Sequence, residues 1–312
     1  MVNGTRISYR HNLTGDREVA LLLHGLGGDH RGLLQVAAGL PDVDVVIPDV
    51  PGYGDSAPLA VPHTLANYAA AVEAFRVALD LGPVHLIGHS LGASIALLHA
   101  ATYSPAPPSL AAHPARSTAP HPAAPHLAAA HPAAVHSAAL RSLTLLNPVS
   151  TASNFTANLG KLYYRIAAAL PARAARFWLA SKPAVYIADA MVIVSKDKAV
   201  RRRILDEDYQ NYARASVPAM IESFLSYYDT GFEQRAAHVA VDTLLLTGDA
   251  DRIAPVASVT ALAAAIPSAT LRVLPGGGHL LPMETPADVA EPLAAFLRER
   301  LSRTVANPTE SV

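Results

Sequence analysis

Val84-His85-Leu86-Ile87-Gly88-His89-Ser90-Leu91-Gly92 runs from a short apolar segment through a tight turn into a helical pattern. It is a G-x-S-x-G turn placed between a strand and a helix, the context that gives the pattern its meaning. Side chains at the two flanking positions would clash in so tight a turn, which accounts for Gly88 and Gly92. The serine between them is held in strained backbone, with its hydroxyl raised above the strand end. The helix that opens near Ser90 aims its N-terminus at that hydroxyl and favours negative charge there. Ser90 is therefore the candidate nucleophile.

The surrounding chain repeats the same rhythm. Residues 19–23, 43–47, 84–87, 143–146, 243–246 and 271–274 are short, mostly branched apolar runs that suit strands buried on both faces of a parallel sheet. Helical stretches at 65–81, 90–103, 256–266 and 286–301 separate them, implying βαβ units and a doubly wound, mostly parallel sheet. Residues 3–10 are expected to add an antiparallel edge strand.

A serine hydroxyl is a weak nucleophile and needs a base. His279 follows Pro275-Gly276-Gly277-Gly278 just past the last expected strand, where the glycines let a loop carry an imidazole back across the sheet edge. The base needs an orienting carboxylate, and Asp251 lies in Thr247-Gly248-Asp249-Ala250-Asp251-Arg252 after the preceding strand. Asp249, closer to the strand end, is expected to cap the turn. The chain order Ser, Asp, His matches a triad on this kind of sheet. An oxyanion requires backbone donors. The amide of Leu91 is one candidate, and the loop His24-Gly25-Leu26-Gly27-Gly28 offers a second at Leu26, ahead of Gly27. His24 is expected to hydrogen-bond that loop rather than to act on substrate.

The 312 residues, 51% of them hydrophobic and 16% charged, suffice for one large core with an insertion. A net charge of −1 points to neither nucleic acid nor an anionic surface. Arg201-Arg202-Arg203 is followed by Asp206-Glu207-Asp208 and reads as a solvated helix face. With no cysteine, disulfides, thiolate catalysis and cysteine-ligated metal are excluded. Residues 1–10 lack a signal-peptide pattern, and no run of 18 apolar residues occurs. The expectation is a cytoplasmic monomer or homodimer with no membrane span.

Two segments break the rhythm. Residues 104–139 are Ala, Pro and His with no carboxylate, and read as a disordered low-complexity insert. His121, His126, His131 and His136 recur every five residues, a spacing that suits no metal site on a helix or strand. Residues 150–234 are helical in pattern and sit between two core strands, as a cap would, leaving 1–149 and 235–301 as the sheet domain and 302–312 as a frayed tail. The cap aromatics Phe155, Tyr163, Tyr164, Phe177, Trp178, Tyr186, Tyr227 and Tyr228 are candidates for lining a pocket, most of them packing the cap itself.

The turn at Ser90, the 24–28 loop, Asp49-Val50-Pro51-Gly52-Tyr53-Gly54-Asp55-Ser56, residues 2–9, 248–255 and 278–286 together resemble the α/β-hydrolase superfamily, in the subgroup of small hydrolases with a helical cap. The resemblance spans nearly the whole chain outside the insert and cap. It implies an α/β-hydrolase fold and a serine hydrolase cleaving a carboxylic ester of a small, largely apolar molecule, without metal or organic cofactor. It assigns the 49–56 stretch a structural role. Serine at the turn disfavours dehalogenase and epoxide hydrolase chemistry, which place aspartate there. Carbon–carbon bond hydrolysis of the meta-cleavage type, thioester or amide cleavage, and lyase or acyltransferase chemistry fit the same residues. A non-catalytic ligand receptor on this fold is the reading of another class.

Overall fold

The computed structural model describes residues 1–104, 139–149 and 155–306. The insert histidines lie outside the described residues, as does residue 155's side chain. The strands are β1 (Tyr9–His11), β2 (Val19–Leu23), β3 (Asp44–Pro48), β4 (Val84–His89), β5 (Leu140–Leu146), β6 (Thr243–Gly248) and β7 (Ala269–Leu274). They form one sheet in the order β1-β3-β2-β4-β5-β6-β7, parallel throughout except for β1.

The helices packed on the sheet are α1 (Leu34–Ala38), α2 (Leu65–Ala78) and α3 (Leu91–Tyr103). Between β5 and β6 come α4 (Phe155–Ala169), α5 (Ala172–Ala180), α6 (Lys182–Val192), α7 (Lys198–Arg214), α8 (Val217–Ser226) and α9 (Phe232–Ala236). The chain then adds α10 (Val256–Ala265), α11 (Leu281–Glu284) and α12 (Pro286–Ala306).

Alternation along each strand sends side chains to two cores. Leu21 and Leu23 of β2 join a cluster with Tyr68 of α2, Ile95 of α3 and Val259 of α10. Ala20 and Leu22 join the opposite cluster with Val36 of α1 and Leu293 of α12. Tyr164, Leu179, Met220 and Tyr227, from the helices inserted after β5, belong to the first cluster, so that layer shares the sheet's own core. β3 lies to one side of β2 and β4 to the other, which opens a crevice at the carboxyl ends of β2 and β4. Both the 24–28 loop and the turn at Ser90 border it.

Four expectations are corrected. Residues 3–10 do not form a continuous edge strand. Asn3 and Gly4 both take positive φ, +46° and +79°, and fold Val2 back onto Thr5 in a tight turn, leaving Tyr9–His11 to pair with β3. The strand at 271–274 is not buried on both faces, because β7 ends the sheet and exposes Thr270, Arg272 and Val273. The last helix runs on through Ala306, taking in part of the expected tail, since nothing before Asn307-Pro308 breaks it. Finally, the face at 201–208 is only partly solvated. Asp208 turns inward and is buried, while Arg203 donates from Nη2 to the carbonyl of Met283 at 2.6 Å.

The elbow glycines are dictated by space. A Cβ on Gly88 would lie 2.2 Å from the carbonyl oxygen of Gly92, and one on Gly92 would lie 2.2 Å from that of Leu23. Both neighbours are backbone and cannot swing aside. Gly88→Ala is therefore expected to cost about 3 kcal/mol or more and to lower Tm by roughly 10 °C in a thermal melt. An unchanged Tm would refute this account of the turn.

Candidate active site

Ser90 sits at the join of β4 and α3 with φ +50° and ψ −111°, a left-handed conformation that a non-glycine residue adopts only under constraint. Its amide donates to the carbonyl of Leu146 at 3.0 Å, which ties the turn to β5. The strain projects Oγ toward His279, whose Nε2 lies 2.9 Å away. On the far side of the ring, Nδ1 lies 2.8 Å from Asp251 Oδ2. The carboxylate at Nδ1 assigns the proton to that nitrogen, leaving Nε2 to accept from the serine hydroxyl.

Asp251 is held from every side. Oδ1 accepts from the amides of Ile253 at 2.8 Å and Ala254 at 2.9 Å, and Oδ2 also accepts from Asn147 Nδ2 at 2.7 Å. Burial acts to raise its pKa, but the His279 charge and hydrogen bond, the Ala254 amide and Asn147 outweigh burial and hold the carboxyl below its ordinary value. The stability it contributes is complete above the unfolded carboxylate pKa and is lost as pH falls through the lowered folded value.

The loops that carry Asp251 and His279 are stitched together. Ala250 donates its amide to the Gly277 carbonyl at 2.9 Å, and a Cβ on Gly248 would lie 2.0 Å from that oxygen. Asn147 Nδ2 also donates to the Gly278 carbonyl at 3.1 Å, bracing the residue before the base. Asp249 stays out of the site, accepting the Gly276 amide at 2.7 Å.

Three further histidines near the site, His24, His30 and His89, have structural partners. His24 Nδ1 bonds the Gly25 carbonyl at 2.8 Å, and its Nε2 accepts the Val50 amide at 2.9 Å. His30 pairs with the fully buried Asp49 at 2.8 Å, within the 49–56 stretch. His89 donates from Nε2 to the carbonyl of His279 at 2.8 Å, so the residue preceding the serine anchors the His279 backbone.

Burial, and then the neighbouring His279, push the His89 pKa from 6.5 down to about 4. Between those values the unfolded chain binds a proton at this site that the folded chain refuses, so stability falls as pH drops across the window. The expected loss at this position is up to about 3 kcal/mol. Denaturant melts at several pH values should give a flatter acid limb for His89→Gln. Parallel limbs in the two proteins would contradict it.

The 24–28 loop lies against Ser90. A Cβ on Gly25 would approach Ser90 Cβ to 3.4 Å, and one on Gly27 would fall 2.2 Å from the Tyr212 ring. Tyr212 of α7 thus roofs the loop. Tyr227 is buried, with its hydroxyl close to Ser94 and Ser90. Tyr164 stacks on Phe224 with ring centroids 4.1 Å apart, closing the layer above. Ser90 is only 8% exposed beneath it.

Three of the candidate pocket aromatics lie elsewhere. Phe177 is 75% exposed, Trp178 packs its ring on Tyr163, and Tyr186 donates to Asp206 at the surface. Each occupies the outward face of a helix whose inner face is already filled. Asn147 and Tyr212 escaped the sequence reading. The cue for Asn147 was its place immediately after a core strand, on the edge where the triad gathers; Tyr212 had no local cue.

A parallel sheet with a strained elbow serine, backed through histidine to aspartate at its carboxyl edge, defines the class. The chain belongs to the alpha/beta hydrolase fold family, whose model matches residues 19–286. It is 35% identical over 96 residues to the dihydrolipoyllysine-residue acetyltransferase component of the acetoin cleaving system of Cupriavidus necator, covering 30% of this chain and 25% of that one. It is 32% identical over 109 residues to Lipase 3 of a Moraxella species, covering 33% of each. The chain thus spans a quarter to a third of the length of these relatives. Its fold is similar to that of a thermophilic esterase from Thermogutta terrifontis, with a TM-score of 0.70, 21% identity, and coverage of 94% of this chain and 93% of that one.

Proposed function

We propose that this chain is a serine hydrolase that cleaves a carboxylic ester of a small, largely apolar molecule through an acyl-enzyme. The observation that carries the reading is the unbroken hydrogen-bond series from Ser90 Oγ through His279 to Asp251. His279 Nε2 takes the hydroxyl proton as Oγ attacks the substrate carbonyl, and the resulting imidazolium is stabilised by Asp251. The tetrahedral oxyanion is received by the amides of Leu91 and Leu26. Leu91 is the first residue of α3, whose amide the helix itself cannot satisfy. His279 then protonates the departing alkoxide. Water, deprotonated by the same imidazole, attacks the acyl carbon; collapse releases the acid and returns the proton to Ser90.

The helices between β5 and β6 serve as the cap, and the aromatic side chains of Tyr212 and Tyr227 favour an apolar acyl group. The names of the Moraxella lipase and the Thermogutta esterase support ester cleavage over the other bonds that the triad could break. The test pairs p-nitrophenyl esters of increasing acyl length with a fluorophosphonate probe. The expected result is turnover, together with one covalent adduct on Ser90. Absence of both adduct and turnover would overturn the proposal, while an adduct with turnover only of a vinylogous diketone acid would move the reaction to carbon–carbon cleavage.

A further inference from the structure

Helices that cover a core ordinarily present polar residues outward. α4, α5 and α6 do the opposite. α4 buries Tyr164 and Ala167 and packs Gly160 against Phe224, leaving Leu159, Leu162 and Ile166 on the opposite face, exposed. α5 buries Ala175 and Leu179 and exposes Phe177 and Trp178. α6 buries Val185 and Asp189 and exposes Ile187, at 65%, and Met191. The three helices are neighbours, with Trp178 of α5 lying against Tyr163 of α4.

The charge on these helices has one sign. They carry Lys161, Arg165, Arg173, Arg176 and Lys182, and their one carboxylate, Asp189, is buried. Residues 81–188 contain no Asp or Glu at all. None of the five cations forms an ion pair among the described residues. Beside them, a groove of about 520 Å³ between α6 and α7 adds Lys198, Arg201 and Arg202 to Lys182, against one carboxylate, Asp206, which accepts from the Tyr186 hydroxyl.

We infer that the outer face of α4–α6 docks on an anionic lipid surface. Exposed Leu, Ile, Phe, Trp and Met can enter the headgroup region while the flanking Lys and Arg meet lipid phosphates. A second copy of the chain is a poor occupant. A two-fold interface sets the same patch against itself, and these cations would face one another with no exposed carboxylate on the three helices to answer them.

Co-sedimentation of the full chain with vesicles tests the inference. The chain is expected to pellet with phosphatidylglycerol-containing vesicles, more weakly with pure phosphatidylcholine, and less as salt rises. Combined Phe177→Gln, Ile187→Gln and Met191→Gln should lower partitioning about tenfold or more, with Tm and turnover of a soluble ester unchanged. Arg173→Glu with Lys182→Glu should weaken binding to the anionic vesicles alone. Failure to pellet with either vesicle, equal partitioning of the variants, or a dimer in light scattering that the apolar substitutions dissolve would each overturn it.

Discussion

Ser90→Ala is expected to reduce ester turnover by roughly 10⁴- to 10⁶-fold and to abolish fluorophosphonate labelling, with Tm close to that of the parent. The size of the effect follows from the mechanism. Without Oγ there is no acyl-enzyme, and only the amides near Leu26 and Leu91 remain to assist direct attack by water. The fold should tolerate the change. The hydroxyl's partner is the imidazole, and the Ser90 amide bond to Leu146 is untouched by a side-chain substitution. Turnover within tenfold of the parent would place the nucleophile elsewhere.

Asp251→Asn is expected to lower kcat by about 10⁴-fold while the imidazole stays in position. The hydrogen bonds around the carboxylate decide how the amide would sit. Two backbone amides, of Ile253 and Ala254, require an acceptor at Oδ1, so the carboxamide oxygen goes there. The NH2 group is then turned toward His279 Nδ1 and toward the Asn147 donor. His279 must present a lone pair at Nδ1 and carry its proton on Nε2, where it can no longer accept from Ser90. The NH2–NH2 conflict with Asn147 should also cost stability. A variant with near-parental kcat would show that Asp251 neither sets the tautomer nor stabilises the imidazolium. The two substitutions therefore test different links, the covalent step and the proton that enables it.

Much of this site was legible without coordinates because its strongest signals are local. The glycines at 88 and 92 answer a steric demand within five residues, and the strand and helix flanking them have different hydrophobic periods. Asp251 and His279 lie in the loops that leave β6 and its parallel neighbour β7, so the sheet itself places them on one edge. Asn3-Gly4 was also a local signal, and the edge-strand expectation passed over it; positive φ at both residues turns the chain before it reaches β3.

The rest depended on meetings between distant residues. Asp208 looked solvated in its own helix because the neighbouring residues are charged, yet the direction it points is set by what α7 packs against. Phe177 was a candidate for cap packing or pocket lining by residue type, while the phase of α5 turns it outward.

From residue order alone came the sheet's alternating pattern, the elbow and the choice of Ser90, Asp251 and His279 as candidates, because these follow from backbone sterics and periodicity over a few residues. Only the tertiary structure decided that Asn147 and His89 brace Asp251 and the His279 backbone, that Tyr212 covers Gly27, and which helical faces are left bare. Those outcomes are set by distances between segments far apart in the chain, and a linear pattern does not encode them residue by residue.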